Sequence, residues 1–115
     1  VAAGGTVRIS NGCRIRQGYL EHVDVPPNWL ARIQVVEYLR GFLYGRLGWT
    51  RLNALPLISG AFGLFRRQAL VAAGGLSTTT IGEDMELVLR LHRVHRMNRL
   101  DYRIVFVPDA VVWTE

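Results

Sequence analysis

Segments with the patterns of strands and helices alternate along this chain, and this alternation constrains its fold more than any other feature. Apolar runs and period-two alternation predict strands at residues 6–10, 18–25, 57–65, 102–107 and 110–113. Apolar side chains spaced three and four residues apart predict helices at residues 29–47, 67–73 and 83–97. Strands that alternate with helices predict an α/β sandwich, and because no segment covers the last strand we expect a single partial domain over residues 1–115.

Turn and cap residues mark several of these boundaries, and residues 2–5 are expected to form a loop or the end of a strand. The predicted signals are a turn at Asn11-Gly12, a helix N-cap at Asn28, a helix stop at Gly74-Gly75 and a turn at Pro108-Asp109.

The longest predicted helix is apolar around most of its circumference towards its end, where Phe42 and Trp49 follow Trp29, Ile33 and Val36. Two interpretations are open. The helix is either buried in the core, or it contacts a membrane or another part of a longer protein.

The chain carries a net charge of +5, and all of its basic residues are arginines. A basic chain is also suited to binding nucleic acid or an anionic membrane, so an alternative function is a basic interaction module that uses arginines 90, 93, 96 and 99.

The single Cys13 excludes an intrachain disulfide. The nearly uncharged stretch at 52–64 is too short to span a bilayer, so we expect a soluble or peripheral chain.

The acids Glu83 and Asp84 follow Gly82 where a loop is predicted to become a helix. They are either ordinary acids of a helix start, with Thr80 as the cap, or a carboxylate held at the mouth of a pocket, where it takes a proton from an attacking hydroxyl. Spacing alone leaves both interpretations open.

Two further groups of residues are candidates for a functional role. Gly60 and Gly63 in a predicted buried strand indicate close packing or close approach by a ligand, and their spacing does not match a phosphate-binding loop. His92 and His95 lie three residues apart on a predicted helix among arginines, which favours a solvated face over a metal site.

Taken together, four segments resemble family-2 glycosyltransferases, most closely the processive, membrane-bound branch that includes cellulose, chitin-oligosaccharide, hyaluronan and poly-N-acetylglucosamine synthases. The segments are residues 58–67, 74–75, 80–87 and 102–110. The resemblance is clear over residues 55–115, which we interpret as the acceptor-side half with the catalytic base. Residues 1–54 are interpreted as an insert with the long helix.

The resemblance implies a partial GT-A fold, the C-terminal half of a Rossmann-like nucleotide-diphospho-sugar transferase sandwich. It implies inverting transfer of a sugar from a nucleotide-sugar, with a UDP-sugar expected, to a hydroxyl of a glycan or lipid acceptor. The site residues assigned on this basis are Asp84 and Glu83 as catalytic, with Asp84 as the base, and Ser59, Gly60, Ala61 and Trp113 as acceptor-binding.

Two motifs of that family are missing from these residues: the metal-binding Asp-x-Asp and the Gln-x-x-Arg-Trp that follows the last strand. We therefore expect the chain to be a fragment of a longer membrane-embedded protein, the parent enzyme, which acts at the cytoplasmic face of the cell membrane. The parent is expected to use a divalent metal, Mg or Mn, while the fragment binds no metal and no nucleic acid. The fragment is expected to be inactive alone and to self-associate.

Overall fold

A computed structural model describes residues 1–114 and contains five strands and four α-helices in that range. The strands are β1 (Ala2–Ile9), β2 (Arg14–Arg16), β3 (Tyr19–His22), β4 (Gly63–Phe65) and β5 (Ile104–Thr114). The helices are α1 (Trp29–Leu39), α2 (Arg46–Arg51), α3 (Arg67–Ala72) and α4 (Glu83–Met97), and a π-helical turn (Arg40–Gly45) joins α1 to α2. The α/β prediction is confirmed, and the arrangement is consistent with part of a Rossmann-like sandwich.

A three-stranded mixed sheet in the order β4-β1-β5 forms the centre of the fold. Strand β1 runs antiparallel to β4 and parallel to β5. Residues 2–5 were predicted to form a loop or the end of a strand, and the loop alternative is wrong. Residues 2–4 pair with both neighbouring strands, and Gly5 pairs with β5. Residues 1–54 therefore contain the central strand of the sheet as well as the long helix, and their role as an insert in the parent stays a prediction.

Strand β5 is continuous where two strands separated by a turn were predicted. Its register against β1 shifts between the pairs Gly5↔Val107 and Thr6↔Val111, which leaves residues 108–110 as a bulge. The hydroxyl of Thr6 donates to the carbonyl of Pro108 at 2.9 Å, so the bulge is held to the central strand. The predicted turn at Pro108-Asp109 is thus a β-bulge, which bends a strand without ending it.

Strands β2 and β3 form a separate exposed hairpin. The strand predicted at residues 18–25 is limited to Tyr19–His22, and its partner β2 was not predicted. The predicted turn at Asn11-Gly12 is present.

The long helix begins at the predicted N-cap, since Asn28 accepts a hydrogen bond from the backbone of Leu30 at 2.9 Å. It continues through the π-helical turn and α2 to Arg51. The interpretation as a core helix is wrong: α1 has no buried residue, and Phe42 is the buried residue of the π-helical turn. The exposed apolar side chains include Trp29, Leu30, Ile33, Val36, Tyr44 and Trp49. Across residues 1–114 no helix combines the length and apolar character that crossing a membrane requires.

Helix α4 has the predicted bounds and supplies much of the core. Its buried residues Leu87, Val88 and Leu91 belong to one apolar cluster with Ile58 and Ile104. The strand predicted at residues 57–65 is reduced to Gly63–Phe65, and Ile58 is buried outside any strand. Helix α3 ends as predicted, within one residue, at a two-glycine cap where the backbone of Gly75 donates to the carbonyl of Leu70 at 2.9 Å.

Candidate functional site

The loop before β4 meets the first turn of α4 at the carboxylate of Asp84. The backbone N–H of Gly60 donates to Oδ2 of Asp84 at 3.2 Å, and the N–H of Met85 donates to Oδ1 at 2.9 Å. A tight turn shapes the loop, because Phe62 N–H donates to the carbonyl of Ser59 at 3.0 Å. Each oxygen of the carboxylate is therefore fixed by one backbone donor and keeps a lone pair for another partner.

The start of α4 places this carboxylate without a side-chain cap. Gly82 is the N-cap residue in the left-handed conformation, with φ 84°, which an L side chain adopts only with strain. The interpretation of Thr80 as the cap is wrong, since its hydroxyl is hydrogen-bonded to that of Ser77 at 2.9 Å. The helix start favours negative charge at Glu83 and Asp84.

A cavity of about 220 Å³ lies beside the carboxylate. Its polar lining comes from Ser59, Gly60, Glu83 and Asp84, while the remainder is mainly apolar. Asp84 is half-buried and Glu83 is exposed. Four predicted site residues therefore meet at one cavity, and Ala61, which is exposed, follows Gly60 at its edge without lining it.

The third acid of the helix start, Glu86, is used in an ion pair with Arg90. Both of its oxygens accept hydrogen bonds from Arg90, at 2.8 and 2.9 Å. The same guanidinium donates to the carbonyls of Ala73 and Gly75, so it ties α4 to the end of α3. Arg90 is consequently a structural residue and is not a free member of an arginine stripe.

His92 and His95 are buried, so the predicted solvated histidine face is wrong. Nε2 of His92 lies 2.9 Å from the carbonyl of Leu55, and Nδ1 lies 2.8 Å from the hydroxyl of Tyr102. A carbonyl only accepts, so Nε2 carries the proton and Nδ1 accepts from Tyr102, whose oxygen accepts from Nε of Arg96 at 3.0 Å. Burial lowers the pKa of His92, which agrees with a neutral ring.

No group of three or more His, Cys, Asp or Glu side chains that could hold a metal ion occurs in the described range 1–114. The two histidines are instead committed to hydrogen bonds inside the fold, since His95 also pairs through Nδ1 with the carbonyl of Leu91 at 2.8 Å.

Trp113 lies away from the cavity beside Asp84. The guanidinium of Arg8 sits over its ring, 5.7 Å from the centroid. Both residues line a second cavity, of about 290 Å³, between the ends of β1 and β5 and helix α1. Trp113 does not line the cavity of Asp84, and its assignment as an acceptor-binding residue stays a prediction.

Arg46 is a charged neighbour of Asp84 that the sequence patterns did not single out. Its guanidinium stacks over the ring of Phe42, 3.9 Å from the centroid. Burial lowers the pKa of Arg46, and the negative charge of Asp84 opposes that shift, so the two groups are within electrostatic range. The available signal was an arginine four residues after an aromatic residue of the long helix.

No family profile matches the chain. Comparison with known proteins finds the poly-β-1,6-N-acetyl-D-glucosamine synthase of Staphylococcus aureus (strain COL), which is 33% identical over 84 residues. The synthase of the same name from Staphylococcus epidermidis is 32% identical over 84 residues. These alignments cover 73% of this chain and 19% of each synthase, so the chain spans about a fifth of the length of the curated relatives it matches. The chain is a distant and partial homologue of these poly-β-1,6-N-acetyl-D-glucosamine synthases.

Proposed function

We propose that the chain carries the catalytic-base region of an inverting glycosyltransferase. The enzyme transfers a sugar from a nucleotide-sugar, with a UDP-sugar as the expected donor, to a hydroxyl of a glycan or lipid acceptor. The names of its partial relatives make an N-acetyl-D-glucosamine polymer the first acceptor to test. The site in the parent enzyme faces the cytoplasm at the cell membrane.

One observation supports this proposal above the others: the carboxylate of Asp84 is fixed by two backbone N–H groups at a cavity, with its remaining lone pairs unused by them. A general base must be held in a fixed position and must have a free lone pair that faces the proton it takes. A structural acid such as Glu86, by contrast, is engaged by a cation through both oxygens.

In the proposed reaction the acceptor oxygen attacks the anomeric carbon of the donor sugar. The bond from that carbon to the diphosphate oxygen breaks, and the nucleoside diphosphate leaves with the electron pair. The proton of the acceptor hydroxyl passes to the carboxylate of Asp84. Attack opposite to the leaving group inverts the configuration, and Glu83 adds negative charge at the cavity without an assigned proton transfer.

A divalent metal belongs to the parent enzyme in this proposal, but the described residues do not provide a site for it. Within residues 1–114 no cluster of His, Cys, Asp and Glu side chains offers three ligands, so no step of the reaction is assigned to a metal held by this chain.

The alternative function, a basic module that binds nucleic acid or an anionic membrane through arginines of α4, has less support. Arg90 is half-buried and paired with Glu86, and the exposed Arg96 donates hydrogen bonds to Tyr102 and to the carbonyl of Asn53. Two of the four arginines of the proposed surface therefore already have hydrogen-bond partners in the fold.

The decisive experiment replaces Asp84 by Asn in a full-length protein that contains this chain. Sugar transfer from UDP-N-acetyl-D-glucosamine is measured in membranes, with expression and folding of the variant checked alongside. Loss of transfer with folding retained is expected, and an unchanged rate would remove Asp84 as the base.

A further inference from the structure

Two neighbouring glycines of the central strand make room for side chains of the segment before β4. A Cβ on Gly4 would lie 2.9 Å from the side chain of Ile58, and a Cβ on Gly5 would lie 2.3 Å from the ring of Phe62. Consecutive residues of a strand face opposite sides of a sheet, so Ile58 and Phe62 contact β1 from its two faces. The segment between these two side chains is therefore held on both sides of the central strand.

The backbone of the same segment forms a tight turn at residues 59–62. The N–H of Gly5 donates to the carbonyl of Phe62 at 3.3 Å, and the N–H of Phe62 donates to the carbonyl of Ser59 at 3.0 Å. Gly60 lies inside this turn, and its N–H donates to Oδ2 of Asp84 at 3.2 Å. One short turn therefore connects Phe62 to the oxygen of the candidate base.

The ring of Phe62 is the close contact between this turn and β1. The backbone hydrogen bond of 3.3 Å from Gly5 is longer than the usual distance of about 2.9–3.0 Å, so it holds the turn weakly. The ring instead packs directly on the strand backbone, because Gly5 has no side chain in its place. Close packing resists displacement, and a reacting group displaced by about 1 Å can lose about a hundredfold in rate.

We propose that Phe62 is a positioning residue for the carboxylate of Asp84. Its ring, packed on Gly5, orients the turn so that the N–H of Gly60 stays on Oδ2. Phe62 does not line the cavity beside Asp84, so it acts through the turn and not by contact with the reacting atoms. The inference rests on the proposed function, in which Asp84 is the base.

The first test measures the hydrogen bond between Gly60 and Asp84 by NMR of the isotopically labelled chain. Asp84→Ala removes both acceptor oxygens, so it should shift the amide signals of Gly60 and Met85. In the Phe62→Ala background the signal of Met85 should still respond to Asp84→Ala, because its hydrogen bond to Oδ1 lies within the start of α4. The response of Gly60 should be lost in that background.

Two further variants separate positioning from general packing. Leu64→Ala is the matched control, because Leu64 lines the same apolar cavity as Phe62, of about 200 Å³, and lies two residues further along the chain. It should leave the response of Gly60 unchanged. Phe62→Tyr keeps the ring on Gly5 and should retain the response.

The second test measures sugar transfer by the parent enzyme. Phe62→Ala should lower kcat by about ten- to a hundredfold and change the KM for the acceptor by less than about twofold, since a displaced base affects the proton transfer and not the binding. Leu64→Ala should keep both constants within about twofold of the wild type.

The inference is overturned if Gly60 does not respond to Asp84→Ala in the wild type, or if a folded Phe62→Ala keeps that response. It is also overturned if Leu64→Ala abolishes the response equally, or if Phe62→Ala lowers kcat no more than Leu64→Ala in a parent that Asp84→Asn inactivates. If Phe62→Ala does not fold, Phe62→Leu replaces it, and an undiminished response of Gly60 there overturns the inference. Failure of the proposed function appears separately, as unchanged transfer by the Asp84→Asn parent.

Discussion

The backbone N–H of Gly60 donates to Oδ2 of Asp84 at 3.2 Å across 24 residues of sequence. This hydrogen bond connects the loop before β4 to the first turn of α4, and the second oxygen is held from within the helix by Met85. The position of the carboxylate thus depends on the packing of two segments, and a change in either segment is expected to move it.

The first prediction concerns the proposed base. Asp84→Asn keeps the size of the side chain and can still accept the hydrogen bond from Gly60, but it cannot take a proton. Transfer by the parent enzyme should fall by about 10²–10⁴-fold, as measured by incorporation of labelled N-acetyl-D-glucosamine. Glu86→Gln tests the assignment, because a comparable loss there with folding retained would argue that any acid of this helix start is needed.

The second prediction compares two glycines. A Cβ on Gly5 would lie 2.3 Å from the ring of Phe62 and 2.8 Å from the carbonyl of Ala110, whereas a Cβ on Gly60 would have its nearest contact at 3.7 Å, with Asp84. Gly5→Ala should lower the free energy of unfolding by about 1–3 kcal/mol through overpacking. Gly60→Ala should change it by less than about 0.5 kcal/mol. Urea denaturation of both variants measures the difference, and equal stabilities would contradict the packing described.

A third prediction follows from the half-buried ion pair of α4. Arg90→Gln removes the hydrogen bonds to Glu86 and to the carbonyls at the end of α3, and should lower the free energy of unfolding by about 1.5–3 kcal/mol. Arg93→Gln, on the exposed face, should stay within about 0.5 kcal/mol of the wild type. Thermal or chemical denaturation of the two variants and the wild type measures these differences. A comparable loss in both variants would indicate a general charge effect.

The fourth prediction is a pH dependence from His92. Burial lowers the pKa of this ring below its usual 6.5, with smaller contributions from the charges of Arg96 and His95, while the hydrogen bond to Leu55 opposes the shift. At a pH between the pKa of His92 in the folded protein and its higher pKa in the unfolded chain, the unfolded chain binds more protons. The stability that the neutral His92 contributes is therefore complete above the pKa of the unfolded chain. It is lost as the pH falls towards the pKa of the folded protein.

This dependence can be measured as the urea midpoint of the wild type against His92→Gln, between about pH 7.5 and about pH 5. Glutamine can keep a donor towards the carbonyl of Leu55 but does not titrate. As the pH falls, the wild type should lose more stability than His92→Gln, so its urea midpoint should decrease further. A difference that is independent of pH would contradict the prediction.

The fifth prediction is self-association. The apolar surface of α1 includes Trp29, Ile33 and Val36, which are 69%, 49% and 61% exposed. A contiguous apolar surface of this kind favours contact with another chain. Light scattering should show dimers or larger species for the wild type and a smaller average mass for Val36→Glu. A monodisperse wild-type monomer would argue against self-association.

Sequence patterns predicted the local elements well where a helix carries its own boundary signals. Helix α4 has three acids in its first turn, His95 and Arg96 in its last turn and an apolar stripe between them. Helix α3 stops at Gly74-Gly75. Each signal acts within a few residues, so it is readable without the tertiary structure.

The elements that were predicted wrongly depend on distant partners. Residues 2–5 are alanine and glycine, which have low strand propensity, yet all four pair with β5 and the first three also pair with β4. His92 resembles a surface residue in sequence, but Leu55 and Tyr102 satisfy both of its nitrogens inside the fold. These pairings are set by tertiary contacts that a local pattern does not contain.

The candidate site also contains residues that the sequence predicted and residues that it did not. The acids at Glu83 and Asp84 and the glycine loop at Gly60 were identified as candidates from sequence, and the structure brings them to one cavity. Trp113 was assigned to the same site by resemblance, but it lies at the far end of β5 beside Arg8. Arg46 was missed because its relation to Asp84 arises only when the long helix packs over the sheet.

The π-helical turn makes this arrangement sensitive to chain length. An α-helix turns by about 100° per residue, because it has 3.6 residues per turn. Deleting one residue from Arg40–Gly45 would restore a regular α-helix and rotate Arg46 and all of α2 by that angle relative to α1. The guanidinium would then leave the ring of Phe42. A relative that differs here by a single-residue deletion would therefore have lost this stacking on the aromatic ring even if its arginine were retained.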